Sequence, residues 1–285
     1  MSAPEQSAPL KKYHGNCHCH AFEFSVMLPE LKEVYECNCS ICSRRGVLWA
    51  FPLKDSDFVI EKGEGTLTEY SFGPKTKSHK FCPTCGTAVY TTATNRPEGQ
   101  STAVNARTFS KPHFDIHPEG LYSSIKITSF DGAAMGPAYE FSPAPPHDLQ
   151  PDEGEKLYHK TCHCGALHAV IAAPPAEDWV ATACNCSICT RNGSLWYYSK
   201  NPKARFLPSK PEAVTNYTFG TGIAVHKFCA ICGVEVVNTF SPELSHPVTG
   251  KDTAATNIRG VEGVDVQKLE VTWVNGWDIL SSYDD

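Results

Sequence analysis

The sequence predicts a mostly β protein built from two tandem domains that each bind zinc. The chain has 285 residues, a length typical of two domains. Its 14 cysteines form two sets with the same spacings. Many of its apolar residues alternate with polar ones, which is the period of a strand with one buried face.

An internal repeat divides the chain into two copies. The six letters CNCSIC occur at residues 37–42 and again at 184–189. From this cluster to the last cysteine, the offset between the copies is constant at 147 residues. A stretch rich in proline and acidic residues separates the copies, and its composition indicates an extended linker that is not part of a core. The predicted division is a tail over residues 1–10, a first domain over 11–135, a linker over 136–156 and a second domain over 157–285.

Short strands dominate the predicted secondary structure. Apolar residues stand at every second position over residues 22–28 and again over 269–273. The run 233–240 is rich in β-branched residues and begins at a glycine, which also favours a strand. Only residues 30–36 and 40–45 have local helical character. Each copy is therefore predicted to be a small β-sandwich with short helical turns.

Charge and composition count against several function classes. The net charge of -6 argues against a protein that coats nucleic acid, because such proteins carry a basic excess. No apolar stretch approaches the roughly 18 residues that span a bilayer, and the N-terminus lacks the apolar segment of a secretory signal. We therefore expect a cytoplasmic protein, with a nuclear location left open, that binds neither nucleic acid nor membrane. Thiols stay reduced in that compartment, so the cysteines point to metal ligands or catalytic residues.

Seven cysteines in each copy suit two metal sites. Each copy contains a Cys-x-Cys pair, a Cys-x-Cys-x-x-Cys cluster and a Cys-x-x-Cys-Gly knuckle. A closed structural zinc takes four ligands, and a zinc held by the remaining three would keep one position open, as catalytic zinc does. The spacing does not tell which four cysteines close the structural site. Structural thiols or a disulfide are the alternative for the other three.

The three motifs resemble those of the glutathione-dependent formaldehyde-activating enzyme family, which includes the centromere protein V domain. The resemblance rests on CHC near the start of each copy, CNCSIC in its middle, and HKFCPTCG or HKFCAICG later. It covers both copies. It implies a zinc-bearing β-tent fold and a carbon–sulfur lyase activity on a glutathione adduct of an aldehyde. One departure is His20, where the second copy has Gly165, as the family usually does.

The same resemblance implies how the cysteines divide between the two sites. The pair and the knuckle would hold the structural zinc, as Cys17, Cys19, Cys82 and Cys85 in the first copy and Cys162, Cys164, Cys229 and Cys232 in the second. The middle cluster would hold the open, catalytic zinc, as Cys37, Cys39 and Cys42, then Cys184, Cys186 and Cys189. We therefore expect about four zinc ions per chain, with glutathione as a possible co-substrate.

Two further pairs of repeated residues are candidates for the chemistry. His79 and His226 precede the knuckle by three residues and are acid–base candidates, with a packed strand histidine as the alternative. Arg44 and Arg191 follow CNCSIC and could grip a glutathione carboxylate, with a solvated turn as the alternative.

His18 and His163 stand between the paired cysteines. On an extended strand they would point away from the structural zinc, so they are not expected to be ligands.

Three function hypotheses follow. The first is a lyase acting on the adduct of a thiol with an aldehyde or another small electrophile. The second is a zinc isomerase, lyase or hydrolase acting on a specialised metabolite. The third is a binding module without activity, and the acidic charge counts against it.

The tandem copies could also replace a homodimer of single-domain relatives, while the oligomeric state of the whole chain stays open.

Overall fold

A computed structural model of the chain describes residues 9–110, 125–240 and 252–279. These residues are mostly β, as predicted, and each copy consists of a three-stranded sheet and a seven-stranded sheet. Most of the predicted N-terminal tail lies outside the described residues. No helix in the described ranges is long and apolar enough to cross a bilayer.

Ten strands and one short helix make up the described part of the first copy. They are β1 (Leu10–Asn16), β2 (Glu23–Pro29), β3 (Glu33–Cys37), α1 (Ser40–Arg45), β4 (Leu48–Ala50), β5 (Phe58–Lys62), β6 (Thr68–Tyr70), β7 (Lys77–Phe81), β8 (Ala88–Ala93), β9 (Thr102–Asn105) and β10 (Lys126–Phe130).

The second copy repeats this order and adds a helical turn at its end. Its elements are β11 (Lys156–Thr161), β12 (Leu167–Ala173), β13 (Val180–Cys184), α2 (Ser187–Asn192), β14 (Leu195–Lys200), β15 (Ala204–Pro208), β16 (Val214–Tyr217), β17 (Ala224–Cys229), β18 (Glu235–Phe240), β19 (Thr253–Asn257), β20 (Glu270–Val274) and α3 (Gly276–Ile279).

The two copies have the same sheet topology. The small sheet has the order β1-β2-β5 in the first copy and β11-β12-β15 in the second. The large sheet has the order β10-β3-β4-β9-β8-β7-β6, matched by β20-β13-β14-β19-β18-β17-β16. Among the described strands, only β3 with β10 and β13 with β20 pair in parallel. The sequence repeat is therefore a repeat of the fold.

Strand β2 buries its alternating apolar residues. Phe24, Val26 and Leu28 are buried, Met27 is half-buried, and the small Ser25 on the same face as Met27 is buried as well. β2 is the middle strand of its sheet and pairs with β1 and β5 on its two sides. The strand predicted over residues 22–28 is thereby confirmed.

The helical character predicted over residues 30–36 is wrong. Glu33–Cys37 forms β3, which pairs with β4 on one side and with β10 on the other, and Val34 is fully buried. Sheet pairing on both sides outweighs the helix preference of so short a segment, because isolated short helices are marginal. The other predicted turn, over residues 40–45, is confirmed as α1.

The two copies pack directly on each other at the ends of α1 and α2. A Cβ atom on Gly193 would lie 2.4 Å from the carbonyl oxygen of Gly46, and one on Gly46 would lie 2.6 Å from the carbonyl oxygen of Gly193. Only glycine permits this approach of two backbones. Nε of Arg107 donates to the Gly46 oxygen, and Nε of Arg259 donates to the Gly193 oxygen. The contact is therefore pseudo-symmetric.

The hydrophobic core also crosses between the copies. Ile188, Trp196 and Phe228 of the second copy belong to the same buried cluster as the apolar face of β2 in the first. In return, Ile41 and Trp49 of the first copy pack in a cluster with the interior of the second. Because separate domains have separate cores, this shared core joins the two copies into one folding unit.

The proline-rich segment between the copies is extended but packs on them. Leu149 is buried against Val170 and Ala172, contrary to the expectation that the linker holds no core residue. The hydroxyl of Tyr139 donates to the carbonyl oxygen of His163 at 2.9 Å. The domain boundaries themselves stay a prediction.

Candidate metal centres

Cysteines that are far apart in sequence meet in two four-cysteine clusters. The Sγ atoms of each cluster lie within 4.8 Å of one another, and the closest pairs are 3.5–3.6 Å apart. A tetrahedral zinc with Zn–S bonds of about 2.3 Å needs sulfurs about 3.8 Å apart, whereas a disulfide needs about 2.05 Å. The spacing therefore fits a metal ion. The clusters are Cys17, Cys19, Cys82 and Cys85, and Cys162, Cys164, Cys229 and Cys232.

Each copy also holds a three-cysteine cluster at the start of its helix. Cys37 ends β3, Cys39 is the residue before α1, and Cys42 lies within the helix. The short turn from the strand into the helix therefore brings the three thiols together. The second copy repeats the arrangement with Cys184, Cys186 and Cys189. The cysteines that these clusters contain are all free thiols, which contradicts the disulfide alternative.

Hydrogen-bond donors surround the three-cysteine clusters. The indole Nε1 of Trp49 donates to Sγ of Cys42 at 3.4 Å, and Trp196 donates to Cys189 at the same distance. The backbone N–H of Cys39 donates to Sγ of Cys37 at 3.4 Å. Such bonds stabilise anionic sulfur and orient it as a ligand.

Two glycines close the clusters from the side, and sequence reasoning missed both. A Cβ atom on Gly132 would lie 2.4 Å from Sγ of Cys37, and one on Gly276 would lie 2.3 Å from Sγ of Cys184. A larger residue at either position would push the first ligand out of its cluster. The available signal was an Asp-Gly at 131–132 and an Asn-Gly at 275–276, at similar places in the two copies.

The surroundings fit zinc-bound thiolates. Neighbouring thiols and burial raise the pKa of Cys42 and of Cys189 well above the ordinary value, so a cation is needed to hold three thiolates together at neutral pH. Burial lowers the pKa of Arg45, but the sulfurs of Cys232 and Cys42 oppose this. Arg45 has no carboxylate partner in residues 9–110, 125–240 and 252–279, so its counter-charge comes from the clusters. An all-thiolate donor set suits zinc among the common divalent ions.

His79 and His226 lie on β7 and β17, and both are buried. Burial and the nearby charge of Arg45 lower the pKa of His79 to about 3, while Cys39 opposes this shift. His79 is therefore neutral and close enough to the first three-cysteine cluster to be affected by its charge. His226 lies with its ring centroid 6.2 Å from that of Trp196, the donor to Cys189.

His18 and His163 point away from the structural cysteines, but they reach into the other copy. Nε2 of His18 lies 2.8 Å from Oγ of Ser187, at the start of α2, and its Nδ1 lies 2.7 Å from the hydroxyl of Tyr217. His163 makes the reciprocal contacts with Ser40 at 2.9 Å and Tyr70 at 2.7 Å. Through this histidine, each four-cysteine cluster supports the helix that carries the three-cysteine cluster of the other copy.

Arg44 and Arg191 are buried, so the solvated turn does not describe them. Nη1 of Arg44 donates to the carbonyl oxygen of Ser40 at 2.8 Å, and Arg191 does the same with Ser187 at 3.2 Å. Arg44 also stacks on Tyr139, with 4.0 Å from Cζ to the ring centroid. Nε of Arg44 also donates to the carbonyl oxygen of Thr161 in the second copy at 3.4 Å, and the contact of both arginines with glutathione stays a prediction.

Two comparisons relate this chain to known proteins. A protein from Rhodobacter sphaeroides, solved as a structural-genomics target, is 29% identical over 41% of this chain and 99% of that chain, with a TM-score of 0.33. The model of the family described as "Glutathione-dependent formaldehyde-activating enzyme" matches residues 12–122 and 157–254. These two ranges contain both sets of cysteine clusters and together make up most of the chain, so the protein belongs to the glutathione-dependent formaldehyde-activating enzyme family, in a tandem form.

Proposed function

We propose that the protein is a zinc-dependent carbon–sulfur lyase acting on the adduct of a thiol, such as glutathione, with an aldehyde or another small electrophile. The observation that carries the proposal is the pair of three-cysteine clusters, each of which offers three ligands to an ion that prefers four. The family to which the chain belongs supports glutathione as the thiol.

Zinc on three thiolates supplies a fourth position that accepts a substrate sulfur or polarises a carbonyl oxygen. The residues of the chain supply the surroundings for this chemistry. Trp49 and Trp196 hold Cys42 and Cys189 in place through their indole donors. The buried histidines His79 and His226 are the proton-transfer candidates at the two clusters.

The proposed reaction is the cleavage or formation of a hemithioacetal. In cleavage, the hydroxyl proton of the adduct leaves to a base, the C–O bond becomes a carbonyl, and the C–S bond breaks. The electron pair of that bond stays on sulfur, which takes back the proton as a thiol. Formation is the reverse, so one neutral histidine serves in both directions.

Exchange NMR on glutathione mixed with formaldehyde tests the proposal. The wild-type protein should speed exchange between free thiol and adduct, and it should contain about four zinc ions. The double variant Cys39→Ala with Cys186→Ala should lose the acceleration and keep about two zinc ions, because its four-cysteine clusters are intact. A matched control, Ser43→Ala in the first helix, should behave as wild type.

Two outcomes would overturn the proposal. One is a wild-type protein that holds four zinc ions but leaves the exchange rate unchanged over a panel of thiols and aldehydes. That result would favour the enzyme of a specialised metabolite or the binding module. The other is a double variant that is as active as the wild type.

A further inference from the structure

The two three-cysteine clusters differ beside the histidine that the two copies share, His79 in the first and His226 in the second. In the second copy, Nδ1 of His226 lies 2.6 Å from Oε1 of Glu235, and both side chains are buried. Ser194 donates to the other carboxylate oxygen of the same glutamate. In the first copy, Ala88 occupies the place of Glu235 and Val47 the place of Ser194.

The pair fixes which nitrogen of His226 carries the proton. A carboxylate only accepts hydrogen bonds, so Nδ1 of His226 must be the donor. When the ring carries one proton, that proton is on Nδ1, and Nε2 keeps the lone pair that can accept a proton from a substrate. Because Ser194 occupies the second oxygen of Glu235, the carboxylate is held from both sides.

The pair lies next to the cluster. Trp196 contacts the ring of His226 and donates to Sγ of Cys189, so one side chain separates the histidine from a ligand sulfur. Phe219 contacts both His226, in a tilted arrangement at a centroid distance of 6.0 Å, and His18, edge-on at 4.5 Å. The ring of His226 is thus held by packing on the side of the copy–copy contact.

The first copy keeps the histidine and loses its support. Nδ1 of His79 is buried and has no hydrogen-bond partner among the described residues. Burial lowers the pKa of His79 to about 3, which leaves it a very weak base. Nothing at Ala88 or Val47 can fix its tautomer or stabilise the imidazolium that forms when it accepts a proton.

We propose that the two clusters of this chain do different work, and that proton transfer takes place at the second cluster alone. There Nε2 of His226 takes the hydroxyl proton of the adduct and returns it to the departing sulfur, while Glu235 is its positioning residue. No oxidant or further reactant enters the step. The inference rests on the proposed lyase function for its chemistry, and the first cluster is left to bind a thiol without turning it over.

The tautomer of His226 provides a test that does not depend on activity. Long-range ¹H–¹⁵N spectra of the protein labelled at histidine should show His226 as the Nδ1–H form, with assignment from His226→Gln. Glu235→Ala puts the first copy's residue into the second, so the same fold already accommodates it. This variant should shift His226 toward the Nε2–H form. A wild-type His226 in the Nε2–H form, or a tautomer insensitive to Glu235, would overturn the inference.

Turnover by the same variant tests whether the second cluster works alone. Glu235→Ala should lower kcat about 100-fold or more, the usual range for loss of acid–base catalysis, with KM and zinc content little changed. Two equal clusters would lose at most half of kcat, and that result would overturn the inference. Glu69→Ala, at an exposed glutamate of the first copy, should leave kcat unchanged.

Ser194→Val, again the first copy's residue, provides a milder variant in case Glu235→Ala folds poorly. It should reduce kcat in the same direction by a smaller factor. If the wild type exchanges no thiol–aldehyde pair, the lyase proposal fails, and the tautomer experiment still decides whether Glu235 holds His226 as a base.

Discussion

The two three-cysteine clusters have the same ligands and different neighbours. Both have a tryptophan that donates to the last cysteine at 3.4 Å, and both receive a histidine from the other copy. Within the described ranges, only the second has a buried carboxylate on its strand histidine. Two sites in one chain, under one set of conditions, thus separate what a zinc cluster needs for binding from what proton transfer needs in addition.

The contacts between the two copies are crossed. Each histidine between the paired cysteines supports the helix of the opposite copy, so a change in one copy's structural centre acts on the other copy's open one. The copies are therefore mechanically joined, and their difference in chemistry is our proposal. The variants below separate these two properties.

The largest effect is expected from Cys229→Ala, in the second four-cysteine cluster. Structural zinc contributes about 10–16 kcal/mol, which is comparable to or larger than the total stability of about 5–15 kcal/mol of most domains. Arg45 donates to the carbonyl oxygen of Cys232, and His163 holds Ser40, so the first copy's helix loses its support as well. We expect unfolding of both copies in a single transition, measured by circular dichroism, with zinc falling below about two ions per chain.

A Cys229→Ala protein that keeps three zinc ions and melts in two steps would contradict the expected joint unfolding of the copies. That result would mean that the first copy folds alone. Cys82→Ala is the matched variant in the first copy. Equal loss of zinc from both variants would show that the support is reciprocal.

An intermediate effect is expected where the copies cross. His18→Ala takes a hydrogen-bond partner from Ser187 and from Tyr217, both buried. A buried polar group that loses its partner costs about 1–3 kcal/mol, so the unfolding free energy in urea should fall by about 2–4 kcal/mol. His163→Ala should lower the unfolding free energy by a similar amount. His14→Ala, at an exposed histidine, should change the stability by less than about 0.5 kcal/mol.

The same variants should show the crossing directly. His18→Ala should speed the loss of zinc to a chelator from the second copy's three-cysteine cluster, and His163→Ala from the first copy's. Labelling of the released thiols followed by peptide mapping tells the two apart. Loss from the cluster of the same copy in both cases would contradict the crossed arrangement.

Much of this could be predicted from the sequence, because its signals are local. Verbatim repetition of CNCSIC identified the two copies, and the alternation over residues 22–28 identified a strand. Cysteine spacing indicated metal sites, since metal ligands are few in kind and fixed in number, and the resemblance to the family supplied the division of the cysteines between the two kinds of cluster. The error at residues 30–36 arose where pairing with distant strands, invisible in a local pattern, decided the conformation.

The contacts between the copies could not be predicted in the same way. His18 and Ser187 are 169 positions apart, and no periodicity links them. Glu235 could have been singled out from the sequence, because it is an acidic residue in the apolar strand 233–240 at the position where the first copy has Ala88. The function that we propose for this chain depends on the positions at which the two copies differ.

The smallest effect is expected at the turn after the first cysteine pair, where the copies differ in backbone cost. His20 has a φ of 56° and Gly165 has a φ of 76°, so both occupy the left-handed region that favours glycine. His20→Gly removes the strain of a side chain there, worth about 1–2 kcal/mol, and loses the contact of His20 with Asn16. Extra freedom of glycine in the unfolded chain offsets part of the gain, which leaves a net stabilisation of about 0.5–1 kcal/mol.

The reciprocal Gly165→Ala should destabilise the protein, because its Cβ would meet Ser142 at 2.9 Å. Urea unfolding of the two variants measures both signs, and a destabilised His20→Gly would mean that the bond to Asn16 outweighs the strain.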